Sequence, residues 1–136
     1  MGAQRNLRRA TLLVTMVILV VCASGLLVST SEAKIYRGIE ITGYTFNPNL
    51  RTLTVKTKSY GWKMYPRLVG SKTNKPDGGH WLLYVNGKVS ARSAISSAST
   101  KNLPQGKIRF FVALANNNDS LVKGAVRSDT YSAVVN

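Results

Sequence analysis

The sequence predicts an all-β protein, an immunoglobulin-like β-sandwich preceded by an N-terminal hydrophobic targeting helix. Three observations carry this expectation. Residues 11–28 (TLLVTMVILVVCASGLLV) hold no charge and follow Arg5, Arg8 and Arg9. Residues 34–136 show several short runs in which every second residue is apolar, and no convincing helical period. Turn-forming residues separate those runs often enough for about seven strands in a chain of this length. A small barrel is the alternative closure for the same strands.

The first segment has the layout of an export signal: a basic start, an apolar stretch, then small residues at Ser31 and Ala33. A cut after Ala33 divides the chain into 1–33, signal peptide or membrane anchor, and 34–136, a single β-sandwich domain. The apolar run also suffices for a membrane span, so an uncleaved anchor is the rival. The basic flank keeps the N-terminus cytoplasmic in either case, and residues 34–136 are extracytoplasmic, secreted or anchored. The only cysteine, Cys22, lies inside the apolar run after Val21, where a lipoprotein signal would have a small residue. It reads as one more apolar residue of that segment. The rest of the chain has no cysteine, which suits any extracytoplasmic redox state.

Ile35 to Phe46 carries Ile39 and Ile41 with Gly38 and Gly43 as interruptions, and Asn47-Pro48-Asn49 is a turn. Arg51 to Lys58 alternates, with Leu53 and Val55 on one side and Thr52, Thr54, Lys56 and Lys58 on the other. That is a strand with one buried and one solvated face. Residues 66–79, with Pro66, Gly70, Pro76, Gly78 and Gly79, read as a long loop. His80 to Val85 is a strand, Asn86-Gly87 a hairpin turn, and Lys88 to Ile95 the return strand. Ser96 to Lys101 reads as a polar connection and Leu103-Pro104-Gln105-Gly106 as a turn. Lys107 to Ala115 is the most apolar strand, with Ile108, Phe110, Val112 and Leu114 on one face. A polar loop over Asn116–Ser120 follows, and it includes a formal Asn-x-Ser glycosylation triplet at Asn118. Asp129 to Val135 closes the chain.

Charge gives the main functional expectation. Residues 34–136 hold 16 basic and 4 acidic side chains, net +12. Such a balance favours anionic partners. From Arg51 to Lys75 there is no acid, and aromatic residues interleave with the cations. Lys56, Lys58, Tyr60, Trp62, Lys63 and Arg67 are therefore the expected ligand-binding residues, for an anionic envelope polymer, glycan or membrane surface. The competing reading makes the lysines a solvated sheet face and the aromatics core plugs. No nucleic-acid-binding motif is visible, and an exported chain argues against nucleic acid. His80, the only histidine, with Asp119 is the expected metal pair if the chain binds a copper-type ion. One imidazole is few ligands for such a site, and a strand-start residue bonded across the sheet is the simpler reading. The carboxylates Glu40, Asp77, Asp119 and Asp129 show no paired spacing and no nucleophile elbow is present, so the expectation is no enzyme and no cofactor. A structural subunit of a surface assembly, joined by strand addition at a sheet edge, is a further alternative.

Three stretches resemble a family of small exported immunoglobulin-like β-sandwich domains of unknown function. They are KTKSYGWKM (Lys56 to Met64), GGHWLLYVNGK (Gly78 to Lys88) and LPQGKIRFFVALANNNDS (Leu103 to Ser120). The second carries a Gly-His-x-x-x-Tyr-x-Asn-Gly hairpin and the third a Leu-Pro-x-Gly strand-loop segment. The resemblance implies the same sandwich fold. Members similar to this pattern have further histidines in the first segment and one in the Asn/Asp loop, where this chain has Asp119. His80 is the one that remains here.

Overall fold

The computed structural model describes residues 35–136, and the targeting segment expected over 1–33 lies outside them. Eight strands follow in order: β1 (Gly38–Asn47), β2 (Thr52–Tyr60), β3 (Lys63–Met64), β4 (Gly78–Val85), β5 (Lys88–Ser93), β6 (Ser97–Thr100), β7 (Gly106–Ala115) and β8 (Tyr131–Val135). A 3-10 turn, Pro66–Leu68, interrupts the long loop before β4. Among the described residues no helix is long and apolar enough to cross a membrane.

One sheet has the order β1-β2-β6, the other β3-β4-β7-β8, with β5 also paired to β4. Every pairing is antiparallel except the short parallel one between β3 and β4. The alternation read from the sequence sets which face is buried. Leu53 and Val55 of β2 turn inward, as do Trp81, Leu83 and Val85 of β4 and Ile108, Phe110, Val112 and Leu114 of β7. Together with Ile39, Ile41 and Val135 they form one apolar cluster shared by both sheets, which makes the fold a β-sandwich. Tyr44 of β1 packs edge-on against Phe110 and Tyr131, at 5.1 and 5.5 Å between ring centroids, and ties the small sheet to the large one.

Two expectations need correction. Ser96 to Lys101 is not a plain connection, because Ser97–Thr100 forms β6 and pairs with Leu53–Lys56 of β2. Its outward residues are serines and its inward ones Ala98 and Thr100, so no apolar alternation marks it. The loop expected over 66–79 ends earlier, since Gly78 and Gly79 already belong to β4 and are buried. The Asn86-Gly87 hairpin is as expected, with both residues at positive φ, 49° and 79°.

The passage from β5 to β6 moves the chain from the large sheet to the small one. The Trp81 indole N–H donates to the Ile95 carbonyl at 2.8 Å and pins this corner to the core. Glycine is required where β4 begins. A Cβ on Gly79 would fall on the Ala115 carbonyl oxygen, and one on Gly78 on the Lys63 carbonyl oxygen. At Gly43, beside the irregularity in β1, a Cβ would meet nothing within 4 Å. Gly79→Ala is therefore expected to cost about 3 kcal/mol or more of unfolding free energy by overpacking. Gly43→Ala should stay within about 0.5 kcal/mol of the parent. Urea unfolding of the two variants checks the contrast, and equal losses would contradict it.

Candidate functional site

The six residues expected to bind a ligand do not share one surface. Lys56 and Lys58 stand exposed on the outer face of β2. Around them the small sheet presents hydroxyls, from Thr45 and Thr54 in one cross-strand row to Ser99 and Ser97 on β6. Thr54 and Ser99 hydroxyls are bonded at 2.7 Å. Tyr60 lies at the end of β2, with the Lys58 ammonium 5.3 Å from its ring centroid. Its hydroxyl donates to the Glu40 carboxylate, and that bond to an anion raises the phenol's pKa. Glu40, the register partner of Lys58, is thus occupied by Tyr60 rather than by a lysine.

Trp62 belongs to the core, only 7% exposed, so its ring offers no face to a ligand. Gly61 just before it sits at φ 59°, a left-handed turn that directs the indole inward. The Arg37 guanidinium lies 5.4 Å from the Trp62 ring centroid. Lys63 starts the short strand on the other sheet and forms an ion pair with Asp77 at 2.7 Å. The Lys63 hydrogen bond lowers the Asp77 pKa, and Asp77 raises that of Lys63. Asp77 also accepts the Tyr65 hydroxyl at 3.1 Å. Arg67 is exposed in the 3-10 turn.

His80 and Asp119, 39 residues apart in the chain, are brought together. His80 Nε2 lies 2.9 Å from Asp119 Oδ1, with the imidazole fully buried. The approach is short, but it is not aligned as a hydrogen bond, and both ring nitrogens lack a hydrogen-bonding partner among the described residues. The other carboxylate oxygen, Oδ2, accepts from Arg92 Nε at 2.8 Å and contacts Nη2 at 2.7 Å. Asp119 has φ 67°, a conformation that Asp adopts more readily than most residues. Burial lowers the His80 pKa. The Asp119 charge opposes that shift and the Arg92 charge adds to it.

These contacts make a structural tie between β4, β5 and the segment after β7. They give little to a metal ion. The carboxylate already faces a guanidinium, the imidazole is closed off, and the pair would supply two donors. Among the described residues, no group of three or more His, Cys, Asp and Glu side chains gathers. The loop around Asp119 is held further by Asn117 Nδ2, which donates to the Thr73 carbonyl at 2.8 Å, and by the Asn118 N–H, which donates to Asn74 Oδ1 at 3.1 Å.

The sequence reading missed Arg92 and a cluster on the outer face of the large sheet. There Tyr84 and Phe111, register partners on β4 and β7, stack at 4.8 Å with their rings 4° from parallel. The Arg127 guanidinium lies 4.4 Å from the Phe111 ring centroid. The signal was present in the Phe110-Phe111 pair and in Leu82 and Tyr84, apolar residues on what should be a solvated face. No protein-family model, curated protein or solved structure matches the chain.

The neutral, buried imidazole predicts a pH dependence of stability. The unfolded chain takes up a proton near pH 6.5, while folded His80 with its lowered pKa does not. Stability is therefore expected to fall as pH drops below about 6.5, by up to about 1.4 kcal/mol per pH unit until the folded-state pKa is reached. In His80→Gln this component should vanish. Urea midpoints of parent and variant between pH 7.5 and 5.5, values about one unit either side of the free imidazole, provide the comparison. Parallel curves would contradict the assignment.

Proposed function

We propose that the chain is an exported, non-enzymatic binding module for an anionic polymer or glycan, built on an immunoglobulin-like sandwich. The outer face of the β1-β2-β6 sheet would be its binding surface. One observation carries this reading. Lys56 and Lys58 are exposed side by side on a hydroxyl-bearing sheet face, and no carboxylate among the described residues bridges them. Only Lys63 and Arg92 of the lysines and arginines described reach a carboxylate. In a domain of net +12, that leaves most cations available to an external anion. Serine and threonine hydroxyls in a flat array can donate to and accept from a polyol, so the face suits an acidic polysaccharide better than a bare phosphate chain.

Of the four acidic side chains among the described residues, three are engaged, Glu40 by Tyr60, Asp77 by Lys63 and Tyr65, and Asp119 by Arg92. That supports a module without acid–base chemistry. The apolar stretch over residues 11–28 behind three arginines supports export. The order β1-β2-β6 against β5-β4-β7-β8, and the Gly79–Gly87 hairpin that resembles those of small exported sandwich domains, support the immunoglobulin-like assignment.

A soluble polyuronate titrated into the full chain by calorimetry tests the reading. Binding should saturate and persist at physiological ionic strength, where the screening length is about 8 Å. Reversal of both charges, Lys56→Glu with Lys58→Glu, is expected to weaken it about tenfold, equivalent to about 1.4 kcal/mol. Lys63→Gln should change it little, since Lys63 is already paired with Asp77. Equal effects at the two places would remove the site, and binding abolished by physiological salt would reduce it to non-specific attraction.

A further inference from the structure

We propose that the outer face of the large sheet carries a separate site for a small carboxylate bearing a single aromatic ring. The site is a hollow of about 230 Å³ lined by Tyr84, Phe111, Ala113, Leu121, Ala125 and Arg127, with Leu114 and Val122 beneath. Its floor is the outward side of β4 and β7. Its far wall is the segment between β7 and β8, which returns over the sheet and is held by the Ser128 N–H donating to the Val112 carbonyl at 3.0 Å. The Ser128 hydroxyl in turn accepts the Val112 N–H at 2.9 Å. These two bonds fix Arg127 beside Phe111.

Size limits the ligand. Clefts that enclose a drug-sized molecule run to about 300–1,000 Å³. An apolar cavity of about 150 Å³ accommodates benzene. This hollow therefore takes one ring, with little to spare. The wall chemistry asks for an apolar ring as well, because alanine, leucine and the faces of the two stacked rings present mainly carbon. Leu121, 56% exposed, adds an apolar side chain to the rim.

Charge selects the second group. No acid lines the hollow. The Arg127 guanidinium lies over the Phe111 ring and, among the described residues, its N–H edge has no hydrogen bond or ion pair. That edge is the fork that recognises a carboxylate. Arg109, two residues before Phe111 on the same face of β7, is also exposed and adds positive potential. A ring in the hollow with a carboxylate at its mouth would satisfy both halves of the site. The polymer surface proposed above lies on the outer face of the other sheet, so the two readings stand or fall separately.

The test is calorimetric titration of the full chain with 3-phenylpropionate, with 3-phenylpropan-1-ol and acetate as controls. Saturable one-to-one binding is expected, with Kd near about 1 mM or tighter, and both controls at least about tenfold weaker. Arg127→Gln should weaken the carboxylate about tenfold and leave the alcohol unchanged. Ala125→Trp, at a half-buried position, should fill the hollow and abolish binding. Lack of saturation by the parent up to the solubility limit would overturn the proposal. Equal binding of the alcohol, equal binding of acetate, or an unaffected Arg127→Gln would each do so too. Should Ala125→Trp fail to fold, as judged by its thermal transition, Arg127→Gln decides alone.

Discussion

β4 lies at the centre of the large sheet, bonded to β7 along one edge and to β5 and β3 along the other, with every side chain from Gly78 to Leu83 buried. A strand in that position has no solvated face. Its inward residues, Trp81, Leu83 and Val85, form the middle of the shared core. Its outward residues, His80 and Leu82, must be covered by something else. The cover is the long segment between β7 and β8, which brings Asp119 to His80 and Leu121 and Ala125 to the neighbourhood of Tyr84. The rest of the arrangement follows from this double burial. The glycines at the start of β4 let neighbouring carbonyls approach, the indole of Trp81 fixes the β5–β6 corner, and the covering segment creates the hollow beside Phe111.

The two outer faces of the sandwich differ because, among the described residues, only one of them is covered. The small sheet turns threonine, serine and lysine to solvent, and none of the described segments folds over it. The large sheet turns aromatic and aliphatic side chains outward, and the β7–β8 segment shields part of them. Positive charge is spread over both faces, but the carboxylates are not. Glu40, Asp77 and Asp119 are drawn into local ties with Tyr60, Lys63 and Arg92. Residues 34–136, of net +12, thereby keep most of their cations exposed while three of their four acidic side chains serve the fold.

Strands with a strict period were legible in the sequence. Leu53 and Val55 against Lys56 and Lys58, and Ile108 through Leu114, could be assigned to faces by alternation alone. β6 was not legible, because serine and alanine carry no apolar contrast and a short edge strand is defined by its pairing with β2. Of the candidate site, Lys56, Lys58 and Tyr60 were grouped as the sheet groups them. Trp62 was not, since its burial depends on the left-handed turn at Gly61 and on Arg37, neither of which leaves a periodic trace. Lys63 was read as free because its partner Asp77 lies beyond a long loop. The contact between His80 and Asp119 was anticipated as a pair. Its character was not, because Arg92, which occupies the carboxylate, sits on a strand that sequence spacing does not connect to either residue. The Tyr84–Phe111–Arg127 cluster escaped because β7 was read for its inward face only.

In the proposed function, an anionic polymer is held by the hydroxyl-and-lysine face of the small sheet. The most direct measurement is amide chemical-shift mapping of the isotope-labelled full chain during titration with a soluble polyuronate. Perturbations are expected to cluster on Thr54, Lys56, Lys58, Ser97 and Ser99 and to spare the outer face of β4 and β7. Shifts spread evenly over every lysine and arginine, or concentrated around Lys101, Lys107 and Lys123, would contradict it.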